Sequence, residues 1–173
     1  MTWVAPDVER IAEPKVADER PMLQGWLDYH RMTLLRKCQG LTGEQLKLAS
    51  VEPSNLTLLG LVRHMAEVER WWFRIRAAQQ GVGTLYCPPE SPDGDFDDIA
   101  DADPSEDFAT FLAEIADADK AVADLALEHT FFHPRHAHDI SLRWVYTHMI
   151  EEYARHNGHA DLIRERIDGT TGQ

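Results

Sequence analysis

A carboxylate and an imidazole one helical turn apart are the residues of this chain best spaced to do chemistry. Toward the C-terminus Val145, Met149, Glu152, His156, Ala160, Ile163 and Ile167 recur at steps of four and three, which is one face of a helix. Glu152 and His156 fall in the middle of that apolar stripe. A carboxylate buried there without a partner costs several kcal/mol, so something must compensate it, and a metal ion would serve both side chains at once. A second stripe, Thr57, Leu61, His64, Val68, Trp71 and Ile75, has His64 as its one polar interruption after the first turn. If the two helices pack together, His64, Glu152 and His156 converge. Two imidazoles and one carboxylate suit Zn²⁺, Ni²⁺, Fe²⁺ or Mn²⁺ and leave coordination positions open for water or substrate. The competing reading of the same residues is a buried Glu–His or Glu–Arg pair with no metal.

Other histidines offer alternatives. His148 stands to Glu152 as Glu152 stands to His156, four residues apart, but beside the central stripe rather than in it. His159 reads as a half-exposed helix histidine or as a residue supporting the cleft. His30, between Leu27 and Leu34, reads as a hydrogen-bonded core residue. His129, His133, His136 and His138 form a histidine-rich loop that could take up metal adventitiously, without a helix or a cysteine knuckle to fix its geometry. Trp71, Trp72 and Trp144 are expected in the core, with one of them free to line a substrate pocket beside the ion. Asp93, Asp95 and Asp97 do not make a calcium loop, because the sixth position is Asp98 rather than Gly and the twelfth is Pro104 rather than Glu.

The elements that must position these residues can be read from caps and periodicity. Residues 1–18 lack periodicity and form an arm; residues 19–173 are expected to be one domain. Pro21 opens a first helix with Leu23, Trp26, Leu27, His30 and Leu34 inward, ending by Gly40. Ser54 or Asn55 is expected to cap the second, which runs to about Gln80 and stops at Gly81 and Gly83. The Pro-, Gly- and Asp-rich stretch from Cys87 to Asp103 reads as a long irregular connection, either a solvated excursion or a lid. Asp103-Pro104-Ser105-Glu106 starts a third helix carrying Phe108, Phe111, Ile115, Ala118, Val122 and Leu125. The histidine loop then leads to Ser141, which caps a last helix ending at Asp168-Gly169. Four helices with one apolar stripe each predict an all-α protein, most simply a four-helix bundle.

Composition narrows the partners. Seventeen Lys and Arg against thirty Asp and Glu give a net charge of −13, which argues against nucleic acid and anionic membrane surfaces. Much of the acidity lies between Glu90 and Asp107, so Arg63, Arg70, Arg74 and Arg76 could still make the cleft locally neutral or basic; otherwise they are solvated surface arginines. Cys38 and Cys87 form no motif, and the first twenty residues hold no continuous apolar run. A cytoplasmic protein without a secretory signal or membrane anchor is expected. No Gly-rich phosphate loop, nucleophile elbow, CxxC or internal repeat is present.

Two stretches, Leu59-Gly60-Leu61-Val62-Arg63-His64-Met65-Ala66-Glu67-Val68-Glu69-Arg70-Trp71-Trp72-Phe73 and Ser141-Leu142-Arg143-Trp144 through His148-Met149-Ile150-Glu151-Glu152-Tyr153-Ala154-Arg155-His156-Asn157-Gly158-His159-Ala160-Asp161, resemble the DinB superfamily. They are most similar to its actinobacterial branch related to mycothiol-dependent enzymes, over roughly Glu19 to Gly169. The resemblance implies a four-helix bundle in up-down-down-up order, with a divalent metal (Zn, Ni or Fe) held by His64 and by Glu152 and His156. Many members carry histidine where this chain has Glu152; the glutamate resembles the mycothiol-dependent maleylpyruvate isomerase type. It also implies a low-molecular-weight thiol such as mycothiol, transferred to an electrophilic small molecule near Trp71 or Trp72, with a homodimer compatible with the fold. The alternatives are a metal-dependent hydrolase, for which Glu151 or His159 would be the base, and a non-catalytic metal-binding stress-response protein.

Overall fold

The computed structural model describes residues 3–134 and 137–172. The protein is mainly helical: α1 (Glu19–Cys38), α2 (Gly43–Leu46), α3 (Leu58–Glu69) continuing as a π-helical segment (Arg70–Ala77), α4 (Gly94–Asp97), α5 (Pro104–Val122) and α6 (Leu142–Asp168). α1 lies along α6, α3 and the π segment lie along α5, and α3 touches both α6 and α1. No helix among the described residues is long and apolar enough to cross a membrane.

Local chemistry sets the helix ends. Asp103 caps α5, its carboxylate accepting from Ser105 N at 2.8 Å, with Pro104 in the first turn, where a missing N–H is harmless. Ser141 Oγ accepts from Trp144 N at 3.2 Å to start α6, and Gly169, at φ 78°, closes it in the left-handed conformation that glycine adopts without penalty. The cap of α3 is Thr57, whose Oγ1 accepts from Gly60 N at 2.9 Å, and not Ser54 or Asn55. Ser54 instead accepts from Leu56 N, inside the preceding turn.

Two further differences from the sequence-based expectation bear on the site. The second helix is not α-helical to its end: from Arg70 it widens to π geometry, and such a segment shifts the register of the residues beyond it. Trp72 and Phe73 are thereby buried while Trp71 stays half-buried. The histidine segment, read from sequence as a loop, contains two strands, β1 (Thr130–His133) pairing antiparallel with β2 (His138–Ser141). Its signal was the alternation in Thr130-Phe131-Phe132-His133, with Phe131 and His133 inward. His136 lies outside the described residues.

The interior holds an ion pair that binds four helices together. On α1, Arg31 donates from Nε to Glu69 Oε1 at 2.7 Å and from its terminal nitrogens to Glu69 Oε2 at 2.8 Å and Asp119 Oδ1 at 2.9 Å. Tyr153 on α6 donates to the same Glu69 oxygen at 2.8 Å. The side chains of Arg31 and Glu69 have no exposure, and the fork of the guanidinium meets both carboxylate oxygens. Around them Leu27, Leu34, Leu61, Phe73, Phe111 and Val145 are fully enclosed; truncating such a leucine to alanine costs about 2–5 kcal/mol.

The arm is tied to the turn after α1, Ala5 N donating to Leu41 O at 2.9 Å and Gly40 N to Ala5 O at 3.0 Å. The acidic stretch is docked at its centre, while Glu90, Asp93, Asp97, Asp98 and Asp101 are exposed. Its α4 packs on α3, Arg63 donates to Gly94 O at 3.0 Å, and Asp95 is only 3% exposed. Glycine at position 94 is required by contact, because a Cβ there would run into the Tyr86 carbonyl oxygen.

Candidate metal centre

His64 on α3 meets Glu152 and His156 on α6, with one ligand atom from each lying within 4.8 Å of the others. The His64 and His156 rings are 4.8 Å apart, and His156 Nε2 stands 3.4 Å from Glu152 Oε2. The position differs from the one the stripe implied. Tyr153 and Asn157, not Glu152 and His156, occupy the buried middle of α6, because the helix turns its apolar face by a residue relative to a strict four/three count. Glu152 and His156 sit at the rim, their side chains 16% and 12% exposed. A rim position leaves the group reachable from solvent, which an open coordination site needs.

Each imidazole is prepared for a ligand role. Asp95 Oδ2 lies 2.7 Å from His64 Nδ1, so the carboxylate occupies one ring nitrogen and leaves Nε2 as the donor atom. Phe96 packs on the same ring at 5.0 Å. Burial, reinforced by the neighbouring His64, pushes the His156 imidazole down to about 4 against the opposing pull of Glu152, which keeps its lone pair free at neutral pH. The donor set therefore fits a divalent ion.

The remaining residues fall around this centre. His159 Nδ1 is 3.4 Å from His156 Nδ1, adjacent to the group rather than in it. His148 stacks on Trp144 at 4.7 Å and meets the edge of Trp72 at 5.0 Å. Its Nε2 is 3.8 Å from Glu152 Oε1 and its Nδ1 3.5 Å from Glu151 Oε2, making a second compact group with those carboxylates. Arg155 lies against both glutamates and already brings a cation to that side. Trp72 is enclosed by His133, Trp144 and His148, whereas Trp71 stays half-buried under the Arg76 guanidinium, 4.1 Å from its ring. His133 is buried against Trp72, and His129 Nε2 is 3.1 Å from the Ala77 carbonyl; among the described residues neither belongs to a metal-capable group. Asn157 donates to the His30 carbonyl at 3.1 Å, and His30 stays outside the centre.

A cleft of about 350 Å³ opens beside His64, between α3 and the acidic stretch. Three of the four arginines that could have given it a basic field are held in ion pairs. Arg63 pairs with Asp107 at 3.3 Å, and Arg70 and Arg74 converge on Glu114 at 3.0 and 2.9 Å. Cys87 borders the cleft, its thiol pushed up to about 11 by burial, and is a neutral group at physiological pH. Sequence reasoning missed Asp95 and Glu67 as parts of this region. Asp95 looked like one acid in a solvated run, and Glu67 like a polar position on an amphipathic helix.

Comparison with known proteins adds one finding. No curated protein and no solved structure matches the chain. A family model described as mycothiol S-transferase matches residues 22–169, a span holding both helices of the centre and the acidic stretch between them. The chain belongs to the mycothiol S-transferase family, within the DinB-like superfamily that its two helical motifs resemble.

Proposed function

We propose that this protein is a divalent-metal-dependent enzyme that transfers a low-molecular-weight thiol of the mycothiol kind to an electrophilic small molecule. The observation that carries the reading is the convergence of His64, Glu152 and His156 within 4.8 Å, in a chain of the mycothiol S-transferase family. Zinc, nickel or iron would be held by the two imidazoles and the carboxylate. Bound there, the ion would supply a Lewis acid that lowers the pKa of a ligated thiol.

The chain's own residues do the positioning. Asp95 holds His64 with Nε2 presented, burial keeps His156 neutral, and Trp71 walls the cleft beside His64 where a substrate would lie. In the net reaction the S–H bond is exchanged for an S–C bond. The leaving group departs with its electron pair and takes up the proton. The four long helices are read as an up-down-down-up bundle, supported by α1 lying along α6 and α3 along α5. A cytoplasmic setting is consistent with two unpaired cysteines.

The test is metal content per chain of untagged protein, wild type beside His64→Ala and His156→Ala, followed by thiol consumption with a panel of electrophiles. About one ion per chain in the wild type, lost in both variants, together with metal-dependent consumption of mycothiol, is expected. Turnover without any thiol would replace the reading with a hydrolase. Metal that raises thermal stability while no thiol shifts the melting temperature of the loaded protein would replace it with a non-catalytic metal-binding protein.

A further inference from the structure

His64 and Glu67 lie three residues apart on α3, and each holds a different part of the segment that leads into and through α4. His64 meets Asp95, 2.7 Å away. Glu67, only 7% exposed, accepts at Oε2 from three successive backbone N–H groups, those of Leu85 at 2.8 Å, Tyr86 at 2.7 Å and Cys87 at 3.2 Å. Its other oxygen is buried and has no partner among the described residues, so these three N–H groups make up its hydrogen bonding. Successive N–H groups turned to one side form a concavity for an anion, and here the protein fills it with its own carboxylate. Loss of that carboxylate would leave the N–H groups without their acceptor.

What Glu67 fastens is the backing of Asp95. Tyr86 presents its carbonyl to Gly94 so closely that no Cβ fits at position 94, the residue before Asp95. The Tyr86 ring lies under the Arg63 guanidinium at 4.1 Å, and that guanidinium donates to the Gly94 carbonyl at 3.0 Å. The Tyr86 hydroxyl donates to Asp107 at 3.0 Å, which ties the group to α5. The side chain of Cys87, the third residue bonded to Glu67, touches Asp95 itself. Residues 85–87 therefore support Asp95 by two routes, through Gly94 and through Cys87. A carboxylate that holds an imidazole at Nδ1 fixes its tautomer and ring orientation, and whatever fixes the carboxylate shares in that control.

We infer that Glu67 is a positioning residue of the candidate metal centre: by fastening residues 85–87 it sets Asp95 against His64 Nδ1, and so raises metal affinity from outside the ligand group. The inference rests on the metal-binding reading of His64, Glu152 and His156. Coupling of this kind is reciprocal, so metal at His64 must in turn tighten the N–H groups held by Glu67.

Two measurements test it. In the first, zinc affinity is measured by chelator competition for the wild type, Glu67→Met, Asp95→Asn and the double variant. Glu67→Met is expected to weaken zinc binding about tenfold when Asp95 is present, and about twofold or less in the Asp95→Asn background, where the route to His64 is already cut. Equal losses in both backgrounds would show that Glu67 serves the fold alone, and unchanged affinity that it plays no part in binding; each result overturns the inference and leaves the metal centre standing. In the second, amide exchange is followed by NMR in protein with Glu67 intact, which keeps the test decisive should Glu67→Met not fold. The amides of Leu85, Tyr86 and Cys87 are expected to exchange about tenfold more slowly with zinc bound, and Asp95→Asn to abolish the slowing. Exchange indifferent to zinc, or slowed equally in Asp95→Asn, overturns the inference. A wild type that binds no zinc would remove the metal reading itself, and the inference with it.

Discussion

Asp95 Oδ2 and His64 Nδ1 stand 2.7 Å apart across the join between the acidic stretch and α3. That single contact makes the acidic stretch part of the candidate metal centre. A histidine whose outer nitrogen is held by a carboxylate is fixed in tautomer and ring orientation, and loss of such a partner typically costs 10–100-fold in metal affinity.

Asp95→Asn should therefore lower zinc affinity by about 10–100-fold, measured by competition with a chromophoric chelator. The fold should hold, since Gly94 and Phe96 still dock α4 on α3, and a circular dichroism melt of the metal-free variant would check this. Unchanged affinity would show that His64 does not depend on the acidic stretch.

The buried Arg31–Glu69 pair answers to a different measurement. Arg31→Met leaves Glu69 enclosed with Tyr153 as its remaining donor, and removing one partner of a buried pair costs about 3–5 kcal/mol. Urea unfolding of the metal-free protein should show that loss. Adding Glu69→Leu should recover part of it, because the uncompensated charge is then gone. A single variant as stable as the wild type would mean that Tyr153 alone satisfies Glu69 and that the ion pair adds no net stability.

The four helices were legible because their caps and stripes are local: Asp103-Pro104, Ser141 and Asp168-Gly169 each act within a few residues. Glu152 and His156 were legible as a pair because helical spacing brings i and i+4 to one face, whereas their meeting with His64 depends on α3 packing against α6. What the sequence concealed depends on contacts distant along the chain. Glu69 and Glu152 are both glutamates on amphipathic helices, yet the fully buried one is Glu69, because Arg31 on α1 reaches it. Asp95 is indistinguishable in sequence from Asp93 or Asp97; only the docking of α4 against α3 turns one of the three toward His64. The π segment at Arg70–Ala77 likewise leaves no local sign that would separate the fates of Trp71 and Trp72.

Both cysteines should be inert toward a thiol reagent in the folded protein. Burial pushes the Cys87 thiol up to about 11 and that of Cys38 up to about 12, so the thiolate fraction at pH 8 is small for both. Ellman's reagent at pH 8 should titrate neither cysteine before denaturant is added and both afterwards. For Cys87, which borders the cleft, the native-state reaction should quicken as pH rises toward 11. Fast reaction of Cys87 at pH 8 would introduce a protein nucleophile beside the metal centre and weaken the case that the reacting thiol comes from outside.

His148 and His156 flank Glu152 by the same four-residue step, and the structure separates them by their surroundings. His156 faces a second imidazole, His64, whose ring lies 4.8 Å away, while His148 faces Glu151 and shares its side of the helix with Arg155. A divalent ion on the His148 side would have to displace a guanidinium that already neutralises those carboxylates, whereas on the His156 side it meets two imidazoles and a carboxylate oxygen. His148→Ala should accordingly keep about one ion per chain, and His156→Ala should lose it. Trp72 and Trp144 lose a packed ring in the first variant, so a melting curve should accompany the metal analysis to separate a loosened fold from a lost ligand. Metal retained by His156→Ala and lost by a well-folded His148→Ala would move the centre onto His148, Glu151 and Glu152 and release His64 from its role.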